Sequence, residues 1–293
     1  MSTPANTPPD LPTFIVIGAM KAGTTSLYHY LRHHEQIFMP RVKELDFFVA
    51  DYNWTRGLDW YRRQFADAGD AVARGEASTL YTKYPEHRGV PQRIATVLPD
   101  VRLIYVVRDP LVRLRSHYQH RVMTGAETDP PEVALFSNPV YLDCSRYAMQ
   151  LEQYLDHFSR QQILLVTSEA LRTDRRATVQ GVYRFLGVAD DAVPEVLGTE
   201  FYRTEQRRSY PPAVWWARRM VKRHVPQAKR AKELVDSLLA RRGSAEPPAP
   251  ADDEAAGQVF SPDLTRRLAD LLRDDVARLR HYMPAGFDGW GLA

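Results

Sequence analysis

A lysine between two glycines, followed by three hydroxyl residues, forms the stretch GAMKAGTTS at residues 18–26. Gly18 and Gly23 permit a tight loop with inward-facing N–H groups, and the hydroxyls stand where a helix begins. Backbone dipoles, hydroxyl donors and the charge of Lys21 together predict a site for an anion. The alternative is an ordinary strand-to-helix turn with a solvated lysine. The candidate ligands are Lys21, Ala22, Gly23, Thr24, Thr25 and Ser26.

The order of residues in this loop differs from that of a nucleotide-binding phosphate loop, G-x-x-x-x-G-K-[ST]. Lys21 precedes Gly23 by two positions, and Thr24 stands where the lysine should be. The loop therefore belongs either to an altered P-loop kinase or NTPase, or to a protein that binds a different transferable group.

A second basic position follows the apolar run VRLIYVVRDP, residues 101–110. Arg108 ends the run, and Ser116 lies eight residues later in a stretch with helical character. Arginine suits bidentate contacts with phosphate. A magnesium-dependent P-loop enzyme would want an aspartate at such a strand end. We therefore expect a second phosphate here and no metal, with Asp109 capping the turn before Pro110.

A carboxylate flanked by basic residues occurs in PRVKELDFF, residues 40–48. Glu44 follows Lys43 and precedes an aromatic pair. A carboxylate in this setting could take a proton from a hydroxyl. An exposed Lys-Glu pair is also common on any protein surface.

Three apolar segments predict the strands that position these residues: 13–17, 101–110 and 162–171. Helical patterns follow each of them, and Gly187 is a plausible C-cap for the last. Alternating strands and helices predict an α/β fold with a parallel sheet covered on both faces. Ligands of such sheets bind at the carboxyl ends of the strands, where Lys21 lies.

The chain is predicted to be a single domain over residues 13–293, after a disordered lead-in over 1–12. A basic helical segment covers about 207–242, and an acidic, Pro- and Ala-rich loop covers about 243–257. Ser261 is the predicted N-cap of a closing helix that packs back on the core.

Composition is ordinary for a soluble globular protein, with 44% hydrophobic and 26% charged residues and a net charge of +3. No apolar run approaches the roughly 20 residues that span a bilayer. The opening residues lack the pattern of a signal peptide. Cys144 is the single cysteine, which favours a reducing, cytoplasmic compartment.

The motifs K-A-G-T-T-S-L and R-D-P-x-x-R-x-x-S-x-Y, in this order, resemble those of the PAPS-dependent sulfotransferases, where PAPS is 3′-phosphoadenosine 5′-phosphosulfate. The later segments LLVTSEAL, YRFLGV and FDGW resemble bacterial and heparan-sulfate-type members. The resemblance implies a P-loop-type three-layer fold with a central parallel sheet flanked by helices. It also implies in-line sulfuryl transfer from PAPS to an acceptor hydroxyl, or less favourably an amine, with release of adenosine 3′,5′-bisphosphate.

For the nucleotide, the resemblance implies that the Lys21 loop holds the phosphosulfate and that Arg108 and Ser116 hold the 3′-phosphate. Arg207 or Arg208 would close over the nucleotide. Lys21 would stabilise the leaving phosphate.

For the acceptor, the resemblance implies that Glu44 is the catalytic base, with Lys43 beside it. Lys43 and Tyr81 are predicted to contact the substrate, although Tyr81 suits the core equally well. The chain departs from heparan-sulfate enzymes at Ala77, where a lysine is usual, and Lys83 is the candidate to compensate. Cytosolic relatives usually carry tyrosine where this chain has Ser168.

The predicted partner is a small-molecule or glycan acceptor, since sugar, lipid, polyketide and peptide hydroxyls all fit. We predict no nucleic-acid partner. For the basic segment, a solvated helix is favoured over a lid on the acceptor or contact with a membrane surface. The alternatives to a sulfotransferase are the altered P-loop kinase or NTPase and a non-catalytic protein that binds PAPS or another anion.

Overall fold

The computed structural model describes residues 8–191 and 260–293. The basic segment at 207–242, with Arg207 and Arg208, and the loop at 243–257 lie outside the described residues. The predictions made for them, and for the extent of the domain, stay predictions.

One parallel sheet of five strands, in the order β2-β3-β1-β4-β5, organises the described residues. The strands are β1 Phe14–Gly18, β2 Ile37–Phe38, β3 Ala73–Ala77, β4 Arg102–Val107 and β5 Ile163–Thr167. Every residue of β1 is buried, as are five of the six in β4, which is typical of parallel strands covered on both faces. The predicted α/β fold with a parallel sheet and flanking helices is confirmed.

Helices connect the strands and cover the sheet. They are α1 Thr24–Arg32, α2 Leu58–Arg63, α3 Val90–Val97, α4 Pro110–Met123, α5 Pro131–Ser137, α6 Val140–Asp143, α7 Tyr147–Leu155, α8 Ser168–Thr173, α9 Arg175–Leu186 and α10 Pro262–Arg280. Short 3₁₀ turns occur at Trp54–Arg56, Thr79–Thr82, Arg160–Gln162 and Gly289–Gly291. Among the residues described, no helix is long and apolar enough to cross a membrane.

Strand β3 was missed in the sequence because its residues, ARGEA, carry two charges and little apolar surface. It nevertheless lies inside the sheet, between β2 and β1. A Cβ atom on Gly75 would lie 2.2 Å from the ring of Phe14. Because Gly75 has no side chain, the Phe14 ring of β1 packs directly on the backbone of β3. This contact stabilises a strand whose own residues form a weak strand pattern.

Helix α10 closes the described structure against α7. Ser261 caps it by accepting a hydrogen bond from the Leu264 N–H at 3.2 Å, as predicted. Asp275 is buried, and its carboxylate accepts hydrogen bonds from the N–H groups of Ala148 and Met149, at 2.9 Å each, where α7 begins. The apolar face and this carboxylate together fix the helix to the core.

Candidate active site

The lysine loop, residues 19–23, joins the carboxyl end of β1 to α1. Lys21 and Gly23 both have left-handed backbone angles, with φ of 70° and 95°. Helix α1 begins at Thr24, as predicted, and no described side chain caps its N-terminus. Ala22 and Thr24 are buried, whereas Lys21, Gly23, Thr25 and Ser26 are half-buried. The loop thus brings a helix N-terminus and a cation to one place, which is the arrangement of an anion site.

The start of the lysine loop lies directly against the segment that follows β3. The Thr82 hydroxyl donates a hydrogen bond to the Ile17 carbonyl at 3.2 Å. A Cβ atom on Gly18 would approach Thr82 Oγ1 to 2.0 Å. Only a residue without a side chain fits at Gly18, so the glycine is required here by close approach.

Arg108 reaches the lysine loop from the end of β4. Its Nη1 donates a hydrogen bond to the Lys21 carbonyl oxygen at 3.3 Å. Ser116 lies further along α4 and is buried. The two stretches singled out as phosphate ligands therefore meet at the same edge of the sheet.

Asp109 caps α4, as predicted. Its carboxylate accepts hydrogen bonds from the N–H groups of Leu111 and Val112 at 2.8 and 3.2 Å. Its own N–H donates to the Glu169 carboxylate at 3.0 Å. Burial raises the pKa of Asp109, although the two N–H groups act in the opposite direction. The carboxylate at this strand end is thus used to begin a helix.

A second loop, the glutamate loop at residues 40–49, lies at the end of β3. The Glu44 N–H donates a hydrogen bond to the Ala77 carbonyl at 3.0 Å. Because Ala77 pairs with Val16 in β1, this contact places Glu44 at the edge of the sheet that carries the lysine loop. The side chain of Glu44 is 41% exposed, and its Oε1 lies 2.6 Å from Lys43 Nζ.

Glu76 is a buried carboxylate in β3, with 1% of its surface exposed. Three hydroxyls donate hydrogen bonds to it: those of Tyr61 and Tyr81 to Oε1, at 2.6 and 2.9 Å, and that of Ser78 to Oε2, at 2.7 Å. Burial raises the pKa of Glu76, and the three hydroxyls oppose this rise. No periodic pattern marks this site in the sequence, because one partner comes from α2 and the other two from the turn that follows β3.

The structure places Tyr81 in the core, and its predicted contact with the substrate stays a prediction. Tyr81 is only 2% exposed, and its hydroxyl is directed to Glu76. Its ring packs edge-on against Phe48, with the centroids 5.8 Å apart. Tyr81 thus packs beneath the glutamate loop.

Asp46 is a further carboxyl in the glutamate loop that the sequence did not single out. Its Oδ1 is buried and has no hydrogen-bond partner among the described residues. Burial, followed by the nearby charges of Glu44 and Glu76, raises the pKa of Asp46 to about 7. Lys43 and Lys83 oppose the rise, so both lysines lie within electrostatic reach of this loop.

A cavity of about 280 Å³ lies beside the lysine loop, with Met20 of that loop in its wall. Four basic side chains and one acid contribute to the lining: Lys83, His117, His120, Arg121 and Glu86. Burial and the charge of Arg113 lower the pKa of His117 far below its usual value, so this ring is neutral. Lys83 therefore lines a space next to the lysine loop. Its compensating role stays a prediction.

Comparison with known proteins gives one consistent family. The family model "Sulfotransferase domain" matches residues 11–206. The chain is 30% identical over 201 residues to the bifunctional heparan sulfate N-deacetylase/N-sulfotransferase 4 of Mus musculus, covering 61% of this chain and 22% of that protein. It is 33% identical over 188 residues to the heparan sulfate glucosamine 3-O-sulfotransferase 3B1 of Mus musculus, covering 61% of this chain and 46% of that protein. The chain thus spans less than half the length of either relative.

A solved structure is similar over nearly the whole chain. The sulfotransferase from Alicyclobacillus acidocaldarius superimposes with a TM-score of 0.68 at 25% sequence identity, covering 96% of this chain and 98% of that one. The agreement in sequence and in fold therefore extends over both loops of the candidate site.

Proposed function

The chain belongs to the sulfotransferase domain family, and from this premise we propose that it transfers the sulfuryl group of PAPS to an acceptor hydroxyl. The observation that carries the proposal is the meeting of Arg108 with the lysine loop, at 3.3 Å from the Lys21 carbonyl. PAPS carries negative charge at two places, the phosphosulfate and the 3′-phosphate. A lysine loop at a helix N-terminus and an arginine at the next strand end supply a cation for each.

Each of the described residues predicted to bind the nucleotide has a role in this proposal. The lysine loop and the N-terminus of α1 hold the phosphosulfate. Arg108 and Ser116 hold the 3′-phosphate. Because Asp109 caps α4 with its carboxylate, it is poorly placed to serve a magnesium-dependent kinase, and a phosphate ligand at this strand end fits the site better.

The transfer requires alignment, removal of a proton and stabilisation of the leaving group. The acceptor oxygen forms a bond to sulfur while the bond from sulfur to the bridging oxygen of the 5′-phosphate breaks. Glu44 takes the proton of the acceptor hydroxyl. Lys21 and the N–H groups of its loop stabilise the charge that develops on the departing phosphate.

The acceptor would enter from the cavity beside Met20, since this space adjoins the lysine loop. Its volume of about 280 Å³ suits a single sugar or another ring of similar size. Lys83 and Arg121 in its wall favour a polar or acidic acceptor. Both mouse relatives are named for heparan sulfate, so glycans of this type are the first acceptors to try.

Two measurements test the proposal. Adenosine 3′,5′-bisphosphate should raise the melting temperature markedly more than ATP with magnesium does. Labelled PAPS should then transfer its label to at least one of three probes: N-desulfated heparin, heparan sulfate or p-nitrophenol. Equal stabilisation by the two nucleotides, with no labelled product, would contradict the proposal.

A further inference from the structure

Glu76 carries an ionisable carboxyl group yet is buried in an interior strand of the sheet, one residue before the end of β3. Burying a carboxylate is costly unless hydrogen bonds replace the lost water. The hydroxyls of Tyr61, Ser78 and Tyr81 do so here, at 2.6 to 2.9 Å. Two of these hydroxyls also accept a hydrogen bond from the backbone of the glutamate loop. These additional contacts suggest a role for Glu76 beyond the core.

The Ser78 and Tyr81 hydroxyls each accept a hydrogen bond from the backbone of the glutamate loop. The N–H of Asp46 donates to Ser78 Oγ at 3.0 Å, and the N–H of Phe48 donates to Tyr81 Oη at 3.4 Å. A hydroxyl has one proton and two lone pairs. Because each hydroxyl donates its single hydrogen bond to Glu76, its lone pairs are left to face the loop.

The glutamate loop needs such support because its backbone is unusual. Glu44 and Asp46 have φ of 66° and 48°, in the left-handed region that residues with side chains rarely adopt. Three N–H groups hold this stretch: that of Glu44 on the Ala77 carbonyl, and those of Asp46 and Phe48 on the hydroxyls. Asn53 and Arg93 also hold this stretch, by donating to the Leu45 and Phe48 carbonyls at 2.7 Å each. Of these five hydrogen bonds, the two made by the Ser78 and Tyr81 hydroxyls depend on the orientation that Glu76 imposes.

The same segment also supports the lysine loop. The Ser78 N–H donates to the Val16 carbonyl at 3.0 Å, and Thr82 donates to the Ile17 carbonyl. The residues that follow β3 therefore contact both the strand that delivers Lys21 and the loop that delivers Glu44.

We propose that Glu76 is a positioning residue, whose buried carboxylate orients the Ser78 and Tyr81 hydroxyls so that they fix the glutamate loop and set Glu44 against the lysine loop. This inference rests on the proposed function, in which Glu44 takes the acceptor proton. Glu76 itself does not touch the acceptor. It acts only through the two hydroxyls.

The chain provides a matched set of variants. Ser78→Ala and Tyr81→Phe each remove one support of the glutamate loop. Glu76→Gln keeps the shape of the side chain but replaces an acceptor by a donor, so that at least one hydroxyl loses its acceptor. Tyr61→Phe removes a hydrogen bond to Glu76 but no support of the loop. Tyr183→Phe removes a buried hydroxyl that donates elsewhere, to the Tyr30 carbonyl at 3.3 Å.

The first measurement is hydrogen exchange of the peptide that covers residues 44–49, in the full chain with adenosine 3′,5′-bisphosphate bound. We expect faster exchange in Ser78→Ala, Tyr81→Phe and Glu76→Gln, and wild-type exchange in Tyr61→Phe and Tyr183→Phe. This readout needs no acceptor. Wild-type exchange in all five variants would overturn the inference even if the protein is a sulfotransferase.

The second measurement is steady-state transfer from labelled PAPS to the best of the three probes, or to water if none is sulfated. We expect kcat to fall about 10- to 100-fold in Ser78→Ala, Tyr81→Phe and Glu76→Gln, the scale of a misplaced reacting group. Affinity for adenosine 3′,5′-bisphosphate should stay within about twofold, as for a change confined to the acceptor side. If Tyr61→Phe lowers kcat as much as Tyr81→Phe, Glu76 serves only the stability of the core. A wild-type protein without any transfer contradicts the proposed function, and leaves the exchange result to decide the structural claim.

Discussion

Arg108 and Lys21 are joined by a hydrogen bond from a guanidinium N–H to a backbone carbonyl, at 3.3 Å. The contact links the end of β4 to the loop that leaves the adjacent strand β1. A ligand that binds both residues would therefore lie across two neighbouring strand ends, which is where open parallel sheets bind their ligands.

Replacement of Arg108 should distinguish the contributions of the 3′- and 5′-phosphates to nucleotide affinity. We expect Arg108→Ala to weaken binding of adenosine 3′,5′-bisphosphate by about 10- to 100-fold, because a hydrogen bond to a charged group contributes roughly 1.5–3 kcal/mol. Binding of adenosine 5′-monophosphate should change much less. Calorimetry measures both, with Arg273→Ala on the exposed surface of α10 as the control. Equal losses for the two nucleotides would assign Arg108 to another part of the ligand.

Replacement of Lys21 should affect the chemical step more than binding. The charge of Lys21 is proposed to act on the phosphate as it leaves, so Lys21→Ala should lower kcat by about 100-fold or more. The loop N–H groups remain, and affinity for adenosine 3′,5′-bisphosphate should fall only modestly. Single-turnover transfer from labelled PAPS measures the step directly. A loss confined to affinity would show that Lys21 only binds the nucleotide.

Replacement of Glu44 should leave the nucleotide site intact. We expect Glu44→Gln to lower kcat by about 100-fold or more, the usual contribution of a general base, with affinity for adenosine 3′,5′-bisphosphate within about twofold of wild type. Asp51→Asn is the matched control, since Asp51 is an exposed acid shortly after the same loop. Full activity of Glu44→Gln on an identified acceptor would require a different base.

Asp46 should make stability depend on pH in a defined direction. The pKa of its carboxyl is about 7 in the folded chain, against 3.8 for a free side chain. Between these values the folded state holds a proton that the unfolded state has released, so the free energy of unfolding falls as pH rises from about 4 to about 7. The groups that face Asp46 are Glu44 and Glu76, which raise its pKa, and Lys43 and Lys83, which lower it.

Asp46→Asn removes this pH-dependent contribution. Relative to wild type, the variant should gain at least about 1 kcal/mol in unfolding free energy between pH 4 and pH 8, the value of a shift of one pKa unit. Urea denaturation at the two pH values measures the difference, and any pH-independent effect of asparagine cancels. A constant difference between the two proteins would mean that Asp46 titrates normally.

Local patterns in the sequence were enough to predict those features of the fold and of the site that a single segment forms by itself. The lysine loop, Asp109 as a helix cap and Ser261 as the start of α10 all depend on neighbours within a few residues. These features are short-range, and their residue types report them directly.

The features that the sequence did not reveal depend on distant partners. Strand β3 has a weak local pattern and is stabilised by its neighbours β1 and β2. The hydrogen bonds of Glu76 come from residues 61, 78 and 81, and only the fold brings them together. An aromatic residue near a site has no local mark that distinguishes a lining position from a core position, so the sequence alone does not reveal the packing of Tyr81 against Phe48.

The packing of α10 determines which piece of the chain can be produced for such experiments. The family match ends at residue 206, but Leu264, Leu268 and Leu272 share one buried cluster with Leu114 and Tyr141. A fragment cut at the family boundary would expose that cluster to water and leave two N–H groups of α7 without the carboxylate of Asp275. We expect such a fragment to aggregate during expression, whereas a chain that continues through α10 should be recovered as a monodisperse, soluble sample.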